Sequence, residues 1–117
     1  MFKSVKEQDS FKNTQTHYYL TQGDSCVITS TPYRNGELVS TGEIEQCMFK
    51  LATSDYKLKF SKPMTVSQNG SYVLTLTSDE TELLNAGSYI YEIEYTIDGE
   101  DYTPHSWKFD IVKQITE

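Results

Sequence analysis

The sequence predicts an all-β domain, an antiparallel β-sandwich of about seven strands preceded by a short N-terminal arm. Several segments alternate apolar and polar residues with a period of two, as half-buried strands do. Turn dipeptides such as Asn-Gly and Asp-Gly separate these segments at regular spacing. The chain is also 13% aromatic, with nine Tyr, and aromatic residues favour the pleated surface of a sheet. A length of 117 residues suits one such domain.

The N-terminal arm covers residues 1–16 and is mostly polar. Its large apolar residues are Phe2, Val5 and Phe11, and their spacing fits neither a helical stripe nor a strand alternation. We therefore expect the sandwich domain itself to span residues 17–117.

Turn residues divide the first half of the domain into short strands. Asn35-Gly36 predicts a two-residue hairpin turn, because both central positions of a type I′ turn need a positive φ. Pro63 is expected to end the fourth strand. The predicted strands are, in order, 18–20, 26–29, 46–51 and 56–60.

The second half contains one short helix and the longest strands. A strand over 72–76 is followed by Thr77-Ser78-Asp79-Glu80, which has the spacing of a helix capping box. Asp98-Gly99 then predicts the turn between the last two strands. The residues expected to point into the core from these two strands are Tyr89, Tyr91, Ile93, Tyr95 and Ile97, then Trp107, Phe109 and Ile111.

The segment before the penultimate strand indicates which kind of sandwich this is. In immunoglobulin-like sandwiches, a Tyr near the start of that strand folds its hydroxyl back onto upstream backbone, which is called a tyrosine corner. Asn85, Gly87 and Tyr89 match the three positions of such a corner. The sequence therefore predicts an immunoglobulin-like fold, with this motif in a structural role.

Composition excludes several classes of protein. The chain has 10 Lys+Arg against 17 Asp+Glu, a formal charge of −7, whereas nucleic-acid binding needs clustered basic residues. No apolar stretch approaches the roughly 20 residues that span a bilayer. The N-terminus also lacks the apolar core of a secretion signal, so we expect synthesis in a cytoplasm and no membrane partner.

The residues that carry chemistry are sparse. Cys26 and Cys47 have no metal-ligand spacing, and we expect them to be reduced thiols in the core. The acidic run 98–101 is explained by a hairpin turn better than by a calcium loop. No catalytic motif is present. The sequence therefore predicts a non-enzymatic protein without a catalytic residue, bound metal or cofactor.

Residues from about 18 to 113 resemble a known pattern, mainly in the last 35 residues of that match, which contain an acidic-Thr turn, a Leu, Gly-x-Tyr-x-Tyr, an Asp-Gly hairpin and a closing strand that ends in Val. It is similar to the immunoglobulin-like N-terminal domain of phage baseplate upper proteins and to related modules of tail and head-fibre proteins. The Gly-Asp at 23–24 also matches that family. The positions that carry the resemblance are Thr81, Leu84, Gly87, Tyr89, Tyr91, Asp98, Gly99 and Val112.

The resemblance implies a structural protein of the virion that is assembled in the host cytoplasm, in the tail, the baseplate or a head fibre. Its partners would be other virion proteins, and we expect repeated copies or a homo-oligomer. Apolar residues of the arm and nearby aromatic residues are the expected interface, since isolated apolar side chains need a partner's pocket. These interface residues are Phe2, Val5, Phe11, Tyr18 and Tyr19.

Two alternatives remain open. A small acidic phage protein of this charge could imitate nucleic acid and inhibit a host protein, because a basic cleft attracts any acidic surface. A secreted sugar-binding sandwich ranks last, since no export signal is visible and Trp107 is expected to face the core.

Overall fold

The computed structural model describes Phe11 and residues 14–115, and nearly all of its regular structure is β. A 3-10 helix spans Thr41–Glu43, and one short α-helix, α1, spans Ser78–Glu82. Within the described part of the chain, no helix has both the length and the apolar character needed to cross a membrane. The strands are β1 (Tyr18–Thr21), β2 (Cys26–Ser30), β3 (Tyr33–Arg34), β4 (Glu37–Leu38), β5 (Gln46–Thr53), β6 (Leu58–Pro63), β7 (Thr65–Val66), β8 (Tyr72–Leu76), β9 (Gly87–Ile97) and β10 (Glu100–Val112).

Two sheets pack face to face. Among the described residues, one sheet has five strands in the order β1-β10-β9-β5-β6, and the other has three in the order β2-β8-β7. Strand β1 runs parallel to β10, and the other pairs are antiparallel. The short hairpin β3-β4 lies in the connection between β2 and β5. The prediction of an all-β, immunoglobulin-like sandwich is confirmed, with eight strands in the two sheets rather than about seven.

The core lies between the sheets and is rich in aromatic rings. Strand β9 buries every second side chain, as the sequence predicts. A smaller cluster of Val39, Ile97 and Tyr102 lies where the β9-β10 hairpin meets the β2-β5 connection. The largest fully buried side chains of the core include Tyr95, Phe49, Phe109, Ile28, Leu51, Leu76 and Ile93.

Two predicted turns and the predicted helix capping box are present in the structure. Asn35 and Gly36 have φ values of 54° and 80°, and Asp98 and Gly99 have values of 52° and 77°, as a type I′ turn requires. At the start of α1, Thr77 Oγ1 accepts a hydrogen bond from the Glu80 amide, and the Glu80 carboxylate accepts one from the Thr77 amide. The capping box is therefore complete.

The predicted strand over 56–60 is wrong at its start. Tyr56 lies in a tight turn, and β6 begins at Leu58. The turn is closed by a bond from the Tyr56 amide to the Thr53 carbonyl (2.8 Å) and one from the Thr53 amide to the Lys57 carbonyl (2.9 Å). These bonds hold Tyr56 at a φ of 67°, which no strand residue adopts.

The predicted burial of Trp107 is also wrong. Its side chain is 38% exposed, although Phe109 and Ile111 on the same strand are buried as expected. Strand β10 carries a bulge between Tyr102 and His105, and none of the four residues that follow the bulge, 105–108, is buried. The bulge adds one residue to β10, so the buried side chains are even-numbered before it, at Tyr102 and Pro104, and odd-numbered after it, at Phe109 and Ile111.

Part of the predicted arm belongs to the sandwich. The Thr14 amide donates to the Pro104 carbonyl (2.8 Å), and Thr14 forms a parallel bridge with His105. The parallel register of β1 on β10 therefore extends back to residue 14. Phe11 packs against Tyr95 and Tyr102, with ring centroids 6.3 and 4.8 Å away.

Candidate binding site

The outer face of the five-stranded sheet, which points away from the second sheet, carries a depression of about 380 Å³. Tyr56 and Trp107 both line it, and Ile90 contributes an apolar side chain. A second hollow of about 140 Å³ shares Tyr56 and Ile90 and continues the surface to Leu58 and Ala52. We call these two hollows together the outer-face depression.

Tyr56 is held at this site at a cost in backbone energy. Its side chain is 79% exposed, so it contributes little to the core. Its φ of 67° lies in the left-handed region, which costs an L-residue other than Gly, Asn or Asp about 1–2 kcal/mol. The Thr53 hydroxyl bonds to Asp55 and accepts from the Lys57 amide, which fixes the turn further. Neither packing nor backbone preference explains a Tyr here.

Polar side chains surround these rings. Lys108 places its ammonium 5.3 Å from the centroid of the Trp107 ring, within the range of a cation–π contact. Lys50 Nζ donates to Glu94 Oε1 at 3.1 Å. Glu92 also lines the depression and has no ion-pair partner among the described residues. The depression therefore offers an uncommitted carboxylate beside two exposed rings.

A second cleft, of about 520 Å³, lies between edge strand β6 and helix α1. Its apolar lining consists of Phe60, Leu83 and Leu84, and Leu83 is 85% exposed. Lys62 Nζ closes one side by donating to both carboxylate oxygens of Glu80 at 2.8 and 2.9 Å. The hydrogen bonds from Lys62 and from the Thr77 amide lower the pKa of the Glu80 carboxyl. We call this feature the β6–α1 cleft.

A third cleft of about 360 Å³ lies beside β1 and β2, where Ser30 and the half-buried His105 line it and form a polar trio with Tyr95. Ser30 Oγ is 2.6 Å from the Tyr95 hydroxyl and also hydrogen-bonds Nδ1 of His105. Burial lowers the pKa of His105 below its ordinary value, because a charged imidazole loses solvation there. The trio therefore links β2 of one sheet to β9 and β10 of the other.

The Ser30–His105 pair has the contact that activates a nucleophile, a hydroxyl within hydrogen-bond reach of an imidazole. However, Ser30 is only 3% exposed, so a substrate in the cleft has almost no access to Oγ. No carboxylate among the described residues hydrogen-bonds to His105, so the orienting third group is missing. The trio is best explained as mutual satisfaction of buried polar groups.

Metal binding has no support in the described part of the chain. No group of three or more His, Cys, Asp or Glu side chains stands close enough there to hold an ion. Cys26 and Cys47 are both free thiols, on β2 and β5. Burial raises the pKa of Cys47 to about 12, which makes it a poor ligand and a poor nucleophile.

The residues of the predicted tyrosine corner lie together. The Tyr89 hydroxyl donates to the Asn85 backbone carbonyl at 2.7 Å, four residues upstream, which is the hydrogen bond of such a corner. Gly87 begins strand β9 between them. The corner joins the end of the α1 connection to β9.

The predicted interface residues divide into three groups. Phe2 and Val5 lie outside the described residues. Phe11 and Tyr18 are engaged within the chain, and the ring of Tyr18 meets that of Tyr91 edge-on at 5.2 Å. Tyr19 is 71% exposed and lies against His17, with ring centroids 4.0 Å apart.

His17 and Asp110 form a further contact beside Tyr19. His17 Nε2 lies 2.7 Å from Asp110 Oδ2, and this hydrogen bond lowers the pKa of the Asp110 carboxyl. The contact ties the residue before β1 to β10, so it supports the parallel pairing of these strands.

Sequence reasoning missed the two surfaces that stand out in the structure. Tyr56 carries no turn signal, because Asn or Gly is the usual residue at a left-handed position. Leu83 follows the capping-box helix, and no local pattern indicates that its side chain is exposed. Ser30 and His105 are 75 positions apart, and no local spacing brings them together.

Comparisons with known proteins bear on the fold. No protein-family model matches the chain, and no curated protein matches it. Among solved structures, it is similar to part of the E. coli alpha-2-macroglobulin, with 15% identity and a TM-score of 0.55 over 94% of this chain and 6% of that one.

Two further structures match less well in three dimensions. CopC from Methylosinus trichosporium OB3b has 16% identity and a TM-score of 0.49, covering 92% of this chain and 90% of that one. InlP of Listeria monocytogenes has 15% identity and a TM-score of 0.43, covering 87% and 28%. At these identities the matches concern the fold alone. The sheet order is that of an immunoglobulin-like β-sandwich, and part of the alpha-2-macroglobulin shares this fold.

Proposed function

We propose that this protein is a non-enzymatic immunoglobulin-like module that docks onto other structural proteins of a phage particle. The observation that carries the proposal is the β6–α1 cleft, in which Leu83 stands exposed beside an unpaired strand edge. The phage setting is supported by the sequence resemblance from about residue 18 to 113, which is most specific from Thr81 to Val112.

The open edge of β6 defines the chemistry of the partner. In the five-stranded sheet, β6 pairs only with β5 among the described residues, so the backbone groups on its other side are free to bond an added strand. An extended segment of another protein fits such an edge, because main-chain hydrogen bonds supply affinity and pockets accept alternate side chains. The cleft beside β6 supplies such a pocket.

The charges on β6 indicate a partner other than a second β6. Lys57 and Lys59 are exposed at the start of this strand. Edge lysines disfavour pairing between identical edges, since like charges then face each other. The proposed occupant is therefore a neutral or acidic extended segment of a different virion protein. Several copies of this module would then be arranged by the repeated partner.

An apolar anchor in the cleft supplies the affinity. Covering an exposed Leu side chain contributes about 1.5–3 kcal/mol. The lining of Phe60 and Leu84 is already in place next to Leu83, so docking requires little rearrangement. An anchor of this kind is typical of the few residues that dominate an interface.

The experiment introduces a charge at the anchor. Leu83→Asp is compared with Val27→Asp, which alters an exposed aliphatic residue on edge strand β2 of the other sheet. Both proteins are expressed during infection, and their amounts in gradient-purified particles are measured by mass spectrometry. We expect Leu83→Asp to be depleted at least about tenfold and Val27→Asp to match the wild type.

Two outcomes would contradict the proposal. One is normal incorporation of Leu83→Asp. The other is absence of the wild-type protein from particles together with capture of a host protein that is released steeply by salt. That result supports the nucleic-acid mimic, because contacts between exposed charges weaken as ionic strength rises.

A further inference from the structure

We infer that the outer-face depression is a binding site for a neutral saccharide. This inference is independent of the proposed docking function, because it concerns a different surface. It rests on two exposed aromatic rings that line one hollow, on the polar side chains between them, and on the backbone conformation that holds one of these rings in solvent.

The aromatic pair suits a sugar ring. A pyranose has an apolar face of C–H groups and a rim of hydroxyls, so it needs an aromatic surface with donors and acceptors around it. Tyr56 and Trp107 supply the rings, and Ile90 forms an apolar floor. The volume of about 380 Å³ for the larger hollow lies within the range of small-molecule sites. A hollow of this size suits a ligand of a few sugar units better than it suits the flat surface of another protein.

The polar lining supplies hydrogen bonds to hydroxyl groups. Glu92 accepts, Gln15 and Ser106 both donate and accept, and Lys108 donates; all four line the larger hollow. Glu92 has no ion-pair partner among the described residues. A ligand hydroxyl can therefore bind its carboxylate without breaking an existing salt bridge.

The balance of charge selects a neutral ligand. Lys50 is neutralised by its hydrogen bond to Glu94, and the charges of Glu92 and Lys108 offset each other at the larger hollow. An anionic sugar would lose the hydration of its carboxylate in a hollow that has no net positive charge to offset that cost. A neutral oligosaccharide meets no such penalty.

The conformation of Tyr56 indicates selection for a surface role. Backbone strain persists where the surrounding structure over-determines it, and it is concentrated at functional sites. Here the strained residue is a large aromatic that buries almost nothing. An Asn at this position would satisfy the same turn at lower energy, so neither the turn nor the core calls for an aromatic ring here.

The chain provides its own reporter for the test. Trp107 is the single tryptophan among nine tyrosines, so emission excited at wavelengths that tyrosine does not absorb reports on the depression. The probes are cellohexaose, maltohexaose and chitohexaose, with hexagalacturonate as the anionic comparison. We expect at least one neutral hexasaccharide to change the Trp107 emission saturably, and hexagalacturonate to bind more weakly.

Variants then identify the site. Tyr56→Asn removes the ring and relieves the strained turn, so loss of binding cannot be attributed to unfolding. Tyr33→Ala is the matched control, since Tyr33 is also exposed but lies in the β3-β4 hairpin. We expect Tyr56→Asn to weaken the neutral sugar at least about tenfold, and Tyr33→Ala to leave it unchanged.

Three results would overturn the inference. The first is that none of the three neutral saccharides alters the emission of Trp107. The second is that Tyr56→Asn binds a saccharide as the wild type does. The third is that Tyr56→Asn is lost from particles while no saccharide binds, which assigns the depression to a protein contact. None of these results bears on the β6–α1 cleft.

Discussion

The hydroxyl of Tyr89 and the backbone carbonyl of Asn85 are joined by a 2.7 Å hydrogen bond across the start of β9. Replacing Tyr89 with Phe removes this hydroxyl and leaves the Asn85 carbonyl without its hydrogen bond. We expect a loss of about 1 kcal/mol in the free energy of unfolding, as for a typical buried hydrogen bond. Thermal denaturation checks it, with an expected fall in Tm of about 4 °C.

Tyr72→Phe is the control for that measurement. Tyr72 is also a buried core tyrosine. The Tyr89 hydroxyl bonds to the Asn85 carbonyl, whereas the Tyr72 hydroxyl makes no such bond to a described residue. A fall in Tm for Tyr72→Phe as large as that for Tyr89→Phe would contradict a special role for the corner.

Tyr56→Asn is expected to stabilise the protein. Asn tolerates the left-handed conformation that Tyr56 adopts at a φ of 67°, so the gain is about 0.5–1 kcal/mol. Urea denaturation measures it. Tyr33→Asn, which alters an exposed Tyr with no positive φ, should give no gain. Equal stability changes in the two variants would show that the turn is not strained.

His105 should make stability sensitive to mild acid. Burial holds its pKa in the folded protein below the ordinary value, so the unfolded chain binds the proton first as pH falls. Stability is therefore fully present above about pH 6.5 and declines below it, until the folded-state pKa is reached. The free energy of unfolding is measured at about pH 7.5 and about pH 5.5.

His105→Asn removes the titrating group from the Ser30–Tyr95 trio. We expect this variant to be less stable overall, because Ser30 loses its imidazole partner, and to show a shallower decline with acid. If the free energy of unfolding falls by the same amount with acid in the wild type and in the variant, protonation of His105 is not the cause of the fall.

The two thiols should differ in reactivity. Cys47 is buried, and its pKa is raised to about 12, so almost no thiolate is present near neutral pH. Cys26 is only half-buried. We expect a disulfide reagent to label Cys26 in the folded protein and Cys47 only after unfolding. Cys26→Ser isolates Cys47, and rapid labelling of that variant under native conditions would contradict the prediction.

The sequence was sufficient for the fold wherever local chemistry determined the structure. The alternation of β9, the Asp98-Gly99 turn and the Thr77 capping box each depend on residues within a few positions of one another, so a pattern reveals them. The fold class followed from these elements.

The binding surfaces depended on long-range geometry. Trp107 is exposed although its alternation with Phe109 and Ile111 predicts burial, and Tyr56, which lines the same hollow, adopts a conformation that its residue type disfavours. Phe11 packs on the ring of Tyr95, 84 positions along the chain, a contact that its neighbours in the sequence do not indicate. Contacts of this kind arise only when distant segments meet.

The parallel pairing of β1 with β10 has a mechanical consequence. Tyr18 lies opposite Phe109, and Thr21 lies opposite Val112, so the chain enters β1 at one end of this ladder and leaves β10 at the other. Tension applied through the two flanking segments slides the strands past each other along their axis. All the hydrogen bonds of the ladder then share the load at once, instead of opening one at a time. The module is built to resist pulling along the chain.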